Sequence, residues 1–126
     1  MTIASSTNAP WPTELRLSAG GRLLTIAFDD GTRHELSAEY LRVESPSAEV
    51  QGHTPAQRQT QSGKRNVTIK EIQPTGNYAV RLLFSDGHST GLYTFAWIHD
   101  LAVKKEAKWA AYEAELAAKG LSRDVS

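Results

Sequence analysis

Residues 78–93 read YAVRLLFSDGHSTGLY. Tyr78, Val80, Leu82 and Phe84 alternate with Ala79, Arg81 and Leu83, the period of two that turns one face of a strand inward. Ser85-Asp86-Gly87-His88 then supplies a hairpin turn, because Gly tolerates the positive φ that tight turns require. Residues 89–93 return as the second strand. Thr94 is placed to cap a helix carrying Phe95, Trp97, Ile98 and Leu101 at helical spacings.

The same grammar occurs upstream. Residues 22–28 (RLLTIAF) put Leu24, Ile26 and Phe28 on one face, Asp29-Asp30-Gly31-Thr32 turns the chain, and residues 33–36 return to Ser37, a second cap. Phe28, Asp30, Gly31 and Leu36 match Phe84, Asp86, Gly87 and Leu92 at a constant offset of 56. Two copies are too few for a solenoid. Two hairpin–helix units in one sheet follow instead. A short strand over 14–18 precedes the first unit. A strand over 67–72 precedes the second, with Pro74-Thr75-Gly76-Asn77 as the turn between them. The fold class is therefore α+β, a mostly antiparallel sheet from two Asp-Gly hairpin units with short helices.

Between the units, residues 44–66 show no sustained apolar period and many turn formers. A loop of that length in a small domain is often functional. Residues 103–120 are rich in Ala, Lys and Glu and form a longer C-terminal helix, with Gly120 placed to stop it. Trp109, Tyr112 and Leu116 share one stripe of that helix. The stripe either packs on its own domain or offers a self-association surface. Residues 1–11 read as a disordered lead-in, 12–102 as the domain and 121–126 as a tail.

Composition narrows the chemistry. The 126 residues hold 14 Lys+Arg against 14 Asp+Glu and no cysteine. Disulfides, a thiolate nucleophile and a Cys-ligated zinc or Fe–S site of the chain's own are thereby excluded. Charge is balanced in total but not locally. Residues 13–50 carry seven acids and four arginines, whereas residues 51–85 carry five bases against Glu71 alone. Neutral net charge and a basic loop without interleaved aromatics argue against nucleic acid as a partner. The opening MTIASSTNAPWP lacks a basic start and an apolar core, and no stretch approaches the ~20 apolar residues of a membrane span. The expectation is a cytoplasmic protein with no membrane contact.

Catalytic patterns are missing. There is no phosphate loop, no G-x-S-x-G elbow and no dinucleotide fingerprint. None of His34, His53, His88 and His99 begins H-x-D or H-x-E, so an iron facial triad has no local seed.

Two segments, LTIAFDDGTRHELSAEYLRVESPSAEVQGH and VTIKEIQPTGNYAVRLLFSDGHSTGLYTFAWIHDL, resemble the small domain at the N-terminus of gamma-butyrobetaine hydroxylases, which also occurs alone in the DUF971 family. The similarity runs over about residues 12–102. Its markers are Tyr40-Leu41-Arg42, Ser45-Pro46-Ser47, Gly76 to Val80 and Phe84 to Tyr93. In the hydroxylases, the resemblance implies, catalysis belongs to a separate domain, and this one binds structural zinc through three cysteines and a histidine. Those cysteine positions fall on Ser45, Ser47 and Val50, and the histidine on His88. The resemblance thus implies a domain that has lost the zinc site and needs no cofactor. The alternative is weak zinc or iron binding by His88 paired with His53. The same domain type also occurs fused to P-loop ATPases of Fe–S cluster assembly. The expected role is a non-enzymatic accessory module that binds a protein partner. Its expected surface is the loop 45–66 with the turn at Asp86 and His88, where Arg58, Lys64 and Arg65 would meet acidic groups.

Overall fold

A computed structural model describes residues 11–124. The lead-in, apart from Trp11, and the last two residues lie outside the described residues. Strands β1 (Pro12–Leu17), β2 (Leu23–Phe28) and β3 (Arg33–Ser37) are followed by helices α1 (Ala38–Val43) and α2 (Ala48–Gln51). Then come β4 (Ile69–Thr75), β5 (Ala79–Phe84), β6 (Leu92–Thr94), α3 (Phe95–Val103) and α4 (Lys105–Lys119).

The two units are built alike. Phe28 N–H donates to the Thr32 carbonyl, and 56 residues on Phe84 N–H donates to the His88 carbonyl. Gly31 and Gly87 close the turns at φ +87° and +93°, a region that side-chain-bearing residues avoid. Ser37 Oγ caps α1 by accepting from Tyr40 N–H at 3.0 Å, and Thr94 Oγ1 caps α3 by accepting from Trp97 N–H at 3.0 Å. Each cap supplies an acceptor to an N–H that has no partner inside its helix.

Strand pairing stays within each unit. The order is β1-β2-β3 in one antiparallel sheet and β4-β5-β6 in another, so the strands form two three-stranded sheets where one was expected. The inward residues of the central strands correspond pair by pair: Leu24, Ile26 and Phe28 on β2, Val80, Leu82 and Phe84 on β5. All six are buried in one core with Leu41, Tyr93, Ile98 and Leu101. Burying each such side chain contributes roughly 1.5–3 kcal/mol.

Two local expectations are corrected. β4 runs through Pro74, which lies opposite Val80, and the turn falls later, at residues 76–78. Pro74 is tolerated because β4 is an edge strand and needs no N–H donor on its open side. Tyr78 therefore sits in the turn rather than on the inner face, and it is exposed.

The helices lock the units together reciprocally. Tyr40, three residues past its cap, donates its hydroxyl to the Leu101 carbonyl at 2.6 Å. Trp97, three residues past its own cap, donates its indole N–H to the Glu44 carbonyl at 3.1 Å. Each acceptor is itself seven residues past a cap. α4 then packs back on the domain, burying Tyr112 and Leu116 against Val43 with Trp109 alongside. The aromatic stripe of the C-terminal helix is thus used within the chain.

Candidate functional site

A polar centre forms where the end of α1 meets the β5–β6 turn. Ser45, just past α1, is fully buried, and its Oγ lies 2.9 Å from His88 Nε2. His88 Nδ1 lies 3.3 Å from Glu49 Oε1. Thr90 Oγ1 donates to the same Glu49 oxygen and lies 3.0 Å from Ser47 Oγ. Ser47 Oγ in turn accepts from Glu49 N–H, capping α2. Gly91 makes this meeting possible, because a Cβ there would sit 2.5 Å from Ser45 Oγ.

Beside it, Asp86 gathers cations. Arg42 Nε donates to Asp86 Oδ2 at 2.9 Å and Lys64 Nζ to the same oxygen at 2.5 Å. The other Asp86 oxygen accepts from His88 N–H. Burial works to raise the Asp86 carboxyl, but the bonds from Lys64, the His88 backbone and Arg42 outweigh it and hold it at about 2. Burial, with the nearby Arg42 charge, lowers the His88 pKa below its ordinary value, so the ring is neutral at pH 7. The tautomer that satisfies both neighbours carries the proton on Nδ1, facing Glu49, and lets Nε2 accept from Ser45.

Ser45, His88 and Glu49 stand in the hydrogen-bond order of a hydrolase triad. The resemblance ends there. Ser45 Oγ has no exposure, accepts from Ser47 N–H at 3.2 Å, and is covered by Gly91 and Tyr93. A nucleophile needs a site about 3 Å away where a reacting atom can sit. This one has none.

Zinc does not fit the residues present. Ser45 and Ser47, at the positions where the resemblance places thiolates, offer hydroxyls committed to hydrogen bonds, Val50 offers no donor, and both His88 nitrogens are engaged. Among the described residues no cluster of three or more His, Asp or Glu could hold a metal ion. His53 lies in an exposed turn after α2, where only its backbone N–H bonds, to Gln57 Oε1.

The basic loop is engaged internally. Arg58 pairs with Glu44 at 3.2 Å and Glu115 at 3.4 Å, Lys64 with Asp86, and Arg65 with Asp124. Arg58 thereby ties the loop to α1 and α4. The loop also meets the chain's end, where Gly63 N–H donates to the Ser122 carbonyl and Arg65 N–H to that of Arg123. The structure thus brings together Ser45, Ser47, Asp86, His88 and Lys64, and leaves Arg58, Arg65 and His53 outside the centre. Sequence reading missed Arg42, Glu49 and Thr90. The signal available for Arg42 was a cation five residues past a cap, with an Asp-Gly turn 44 residues on.

These features define a small two-unit α+β domain with a hydrogen-bonded polar centre that is buried at Ser45 and His88. The chain belongs to the gamma-butyrobetaine hydroxylase-like N-terminal family, whose model matches residues 15–99. Two proteins solved by NMR in solution are similar to it. One is 46% identical, with a TM-score of 0.79 over 98% of this chain and 90% of the other. The second is 44% identical, with a TM-score of 0.78 over 91% and 90%. A crystal structure of a DUF971-family protein of unknown function from Acidithiobacillus ferrooxidans is 37% identical, with a TM-score of 0.60 over 72% of this chain and 91% of that one. No curated protein matches the chain. Among the described residues no helix is long and apolar enough to cross a membrane.

Proposed function

We propose that the domain is a non-enzymatic accessory module that works by binding a protein partner. The observation that carries this reading is the buried Ser45–His88 pair, whose only open end is the exposed Glu49 carboxylate. The arrangement closest to reactive chemistry has its nucleophile fully buried, and its other groups satisfy one another. Such a centre holds two units in register, which is what a rigid binding scaffold needs.

The occurrence of this domain type beside P-loop ATPases of Fe–S cluster assembly makes such an ATPase the first partner to try. The cluster would be the partner's, since the chain has no thiolate. Arg58, Lys64 and Arg65 remain near the surface, but each must exchange an internal carboxylate for a partner's, which leaves little net gain.

The test has two arms. Purified domain is mixed with a fluorophosphonate probe, and labelling of Ser45 would overturn the non-enzymatic reading. Tagged domain is then used to capture proteins from its native cells, and each candidate is re-tested as a purified pair by calorimetry. A stoichiometric complex supports the module. Failure of every purified pair counts against it.

A further inference from the structure

α4 does not close fully onto the first unit. Between it and the corner where β3 enters α1 lies a groove of about 630 Å³, with Tyr40, Trp109, Ala110 and Leu23 among its apolar lining. Leu23 is 38% exposed there, one of few large apolar side chains left open. The rim carries Glu35, Glu106 and Glu113. None of the three has an ion-pair partner among the described residues, in contrast to the spent charges of the basic loop. Lys105, the one lysine of the lining, gives its ammonium to the Glu35 carbonyl oxygen rather than to a carboxylate.

One cation already lies at the end of this groove. Arg123 donates from Nε and Nη2 to the two oxygens of the buried Glu39 carboxylate, both at 2.8 Å. Its guanidinium carbon stands 5.0 Å from the Trp109 ring centroid. A carboxylate beside an indole face is the combination that holds a guanidinium or ammonium once water is displaced. The chain's own tail thus shows which chemistry this wall accepts, and the three free carboxylates extend it along the groove.

We propose that the groove between α4 and the β3–α1 corner docks a basic, Lys/Arg-bearing peptide segment of a partner protein. The segment lays its apolar side chains on Leu23 and Trp109 and its cations against Glu35, Glu106 and Glu113. This rests on the reading of the domain as an accessory binding module and names its surface. The acidic groove, rather than the basic loop, makes the contact, so the partner surface is basic. Association then weakens with added salt, because exposed carboxylates supply much of the attraction.

The experiment is a titration of the full ¹⁵N-labelled chain with a short amidated peptide alternating Arg and Leu. The same peptide with Glu for Arg, and free arginine, are the controls. Expected are saturable shifts centred on Leu23, Glu35, Glu106 and Trp109, lost with the acidic peptide. The exposed double variant Glu106→Lys/Glu113→Lys should weaken binding about tenfold without changing the rest of the spectrum. Shifts centred elsewhere, an equal response to the acidic peptide, or saturation by free arginine at the same concentration would each overturn the proposal. A natural partner that binds wild type and the double variant equally also overturns it, while leaving the accessory reading intact. Absence of any partner counts against that wider reading, and the peptide titration still decides the groove.

Discussion

Arg42 and His99 hold the same place in their two helices, five residues beyond the capping hydroxyl, and each reaches the Asp-Gly turn of the other unit. Arg42 Nε meets Asp86 at 2.9 Å, and His99 Nε2 meets Asp30 at 3.6 Å. The exchange repeats the one made by Tyr40 and Trp97. Two equivalent pairs of cross-unit contacts, made by side chains at matching positions, place a pseudo-twofold relation through the helices as well as the hairpins.

Removing either aromatic donor should expose this lock. Tyr40→Phe and Trp97→Phe each leave a carbonyl of the opposite helix without its donor, and each should cost about 1–2 kcal/mol in urea unfolding. Because both bonds join the same two helices, the double variant should depart from additivity by about 0.5 kcal/mol or more. Strict additivity would mean the two contacts act independently.

Stability should fall as the solution is acidified, in two stages. His88 is depressed below its ordinary 6.5, so between that value and its folded one the unfolded chain binds the extra proton, and stability drops as pH falls. Asp86, held at about 2 against an ordinary 3.8, adds a second loss below about pH 4. After allowance for solvent screening, that second stage is worth about 1 kcal/mol. Thermal melts from pH 7.5 downward should show both stages, and His88→Gln should flatten only the first. A Tm that rises on acidification would contradict the assignment.

Metal should be irrelevant to the fold. Chelation with EDTA is expected to leave the melting temperature unchanged, and zinc at stoichiometric concentration should not raise it. A chelator-sensitive melt would show that His88 recruits an ion despite its two occupied nitrogens.

Close approach at Gly91 can be tested by crowding it. Gly91→Ala puts a methyl 2.5 Å from Ser45 Oγ and 3.1 Å from the Tyr93 ring, and should destabilise by about 1–3 kcal/mol. Adding Ser45→Ala removes the nearer obstacle and should recover part of the loss. No recovery would place the strain on Tyr93 instead.

Much of the scaffold was legible from local pattern. The two turns and both capping hydroxyls depend on residues within a few positions of one another and are found as read, whereas the offset of 56 holds only through the turns and becomes 57 on the return strands, where Tyr93 rather than Leu92 faces Val80 as Leu36 faces Leu24. Pro74 misled because a turn former is also at home in an edge strand, and only the sheet order reveals which applies. Tyr78 misled because alternation continues into a turn without announcing its end. The polar centre was half legible. Ser45, Ser47 and His88 were singled out through a resemblance, but their contacts span 43 residues and follow from tertiary packing alone. The same holds for the basic loop, whose carboxylate partners Glu44, Asp86, Glu115 and Asp124 are scattered over the chain.

The separate pairing of the two sheets has a consequence for how the molecule could be cut. Among the described residues strand pairing stays inside one hairpin unit or the other, while the units meet through side chains, the shared core and the close approach of Gly21 to the Ile69 backbone. Backbone continuity between the halves passes through an exposed stretch near His53 and Thr54. The chain is thus a heterodimer tethered in cis. Nicked at that stretch, its halves should remain associated, and supplied separately they should find one another as complementing fragments.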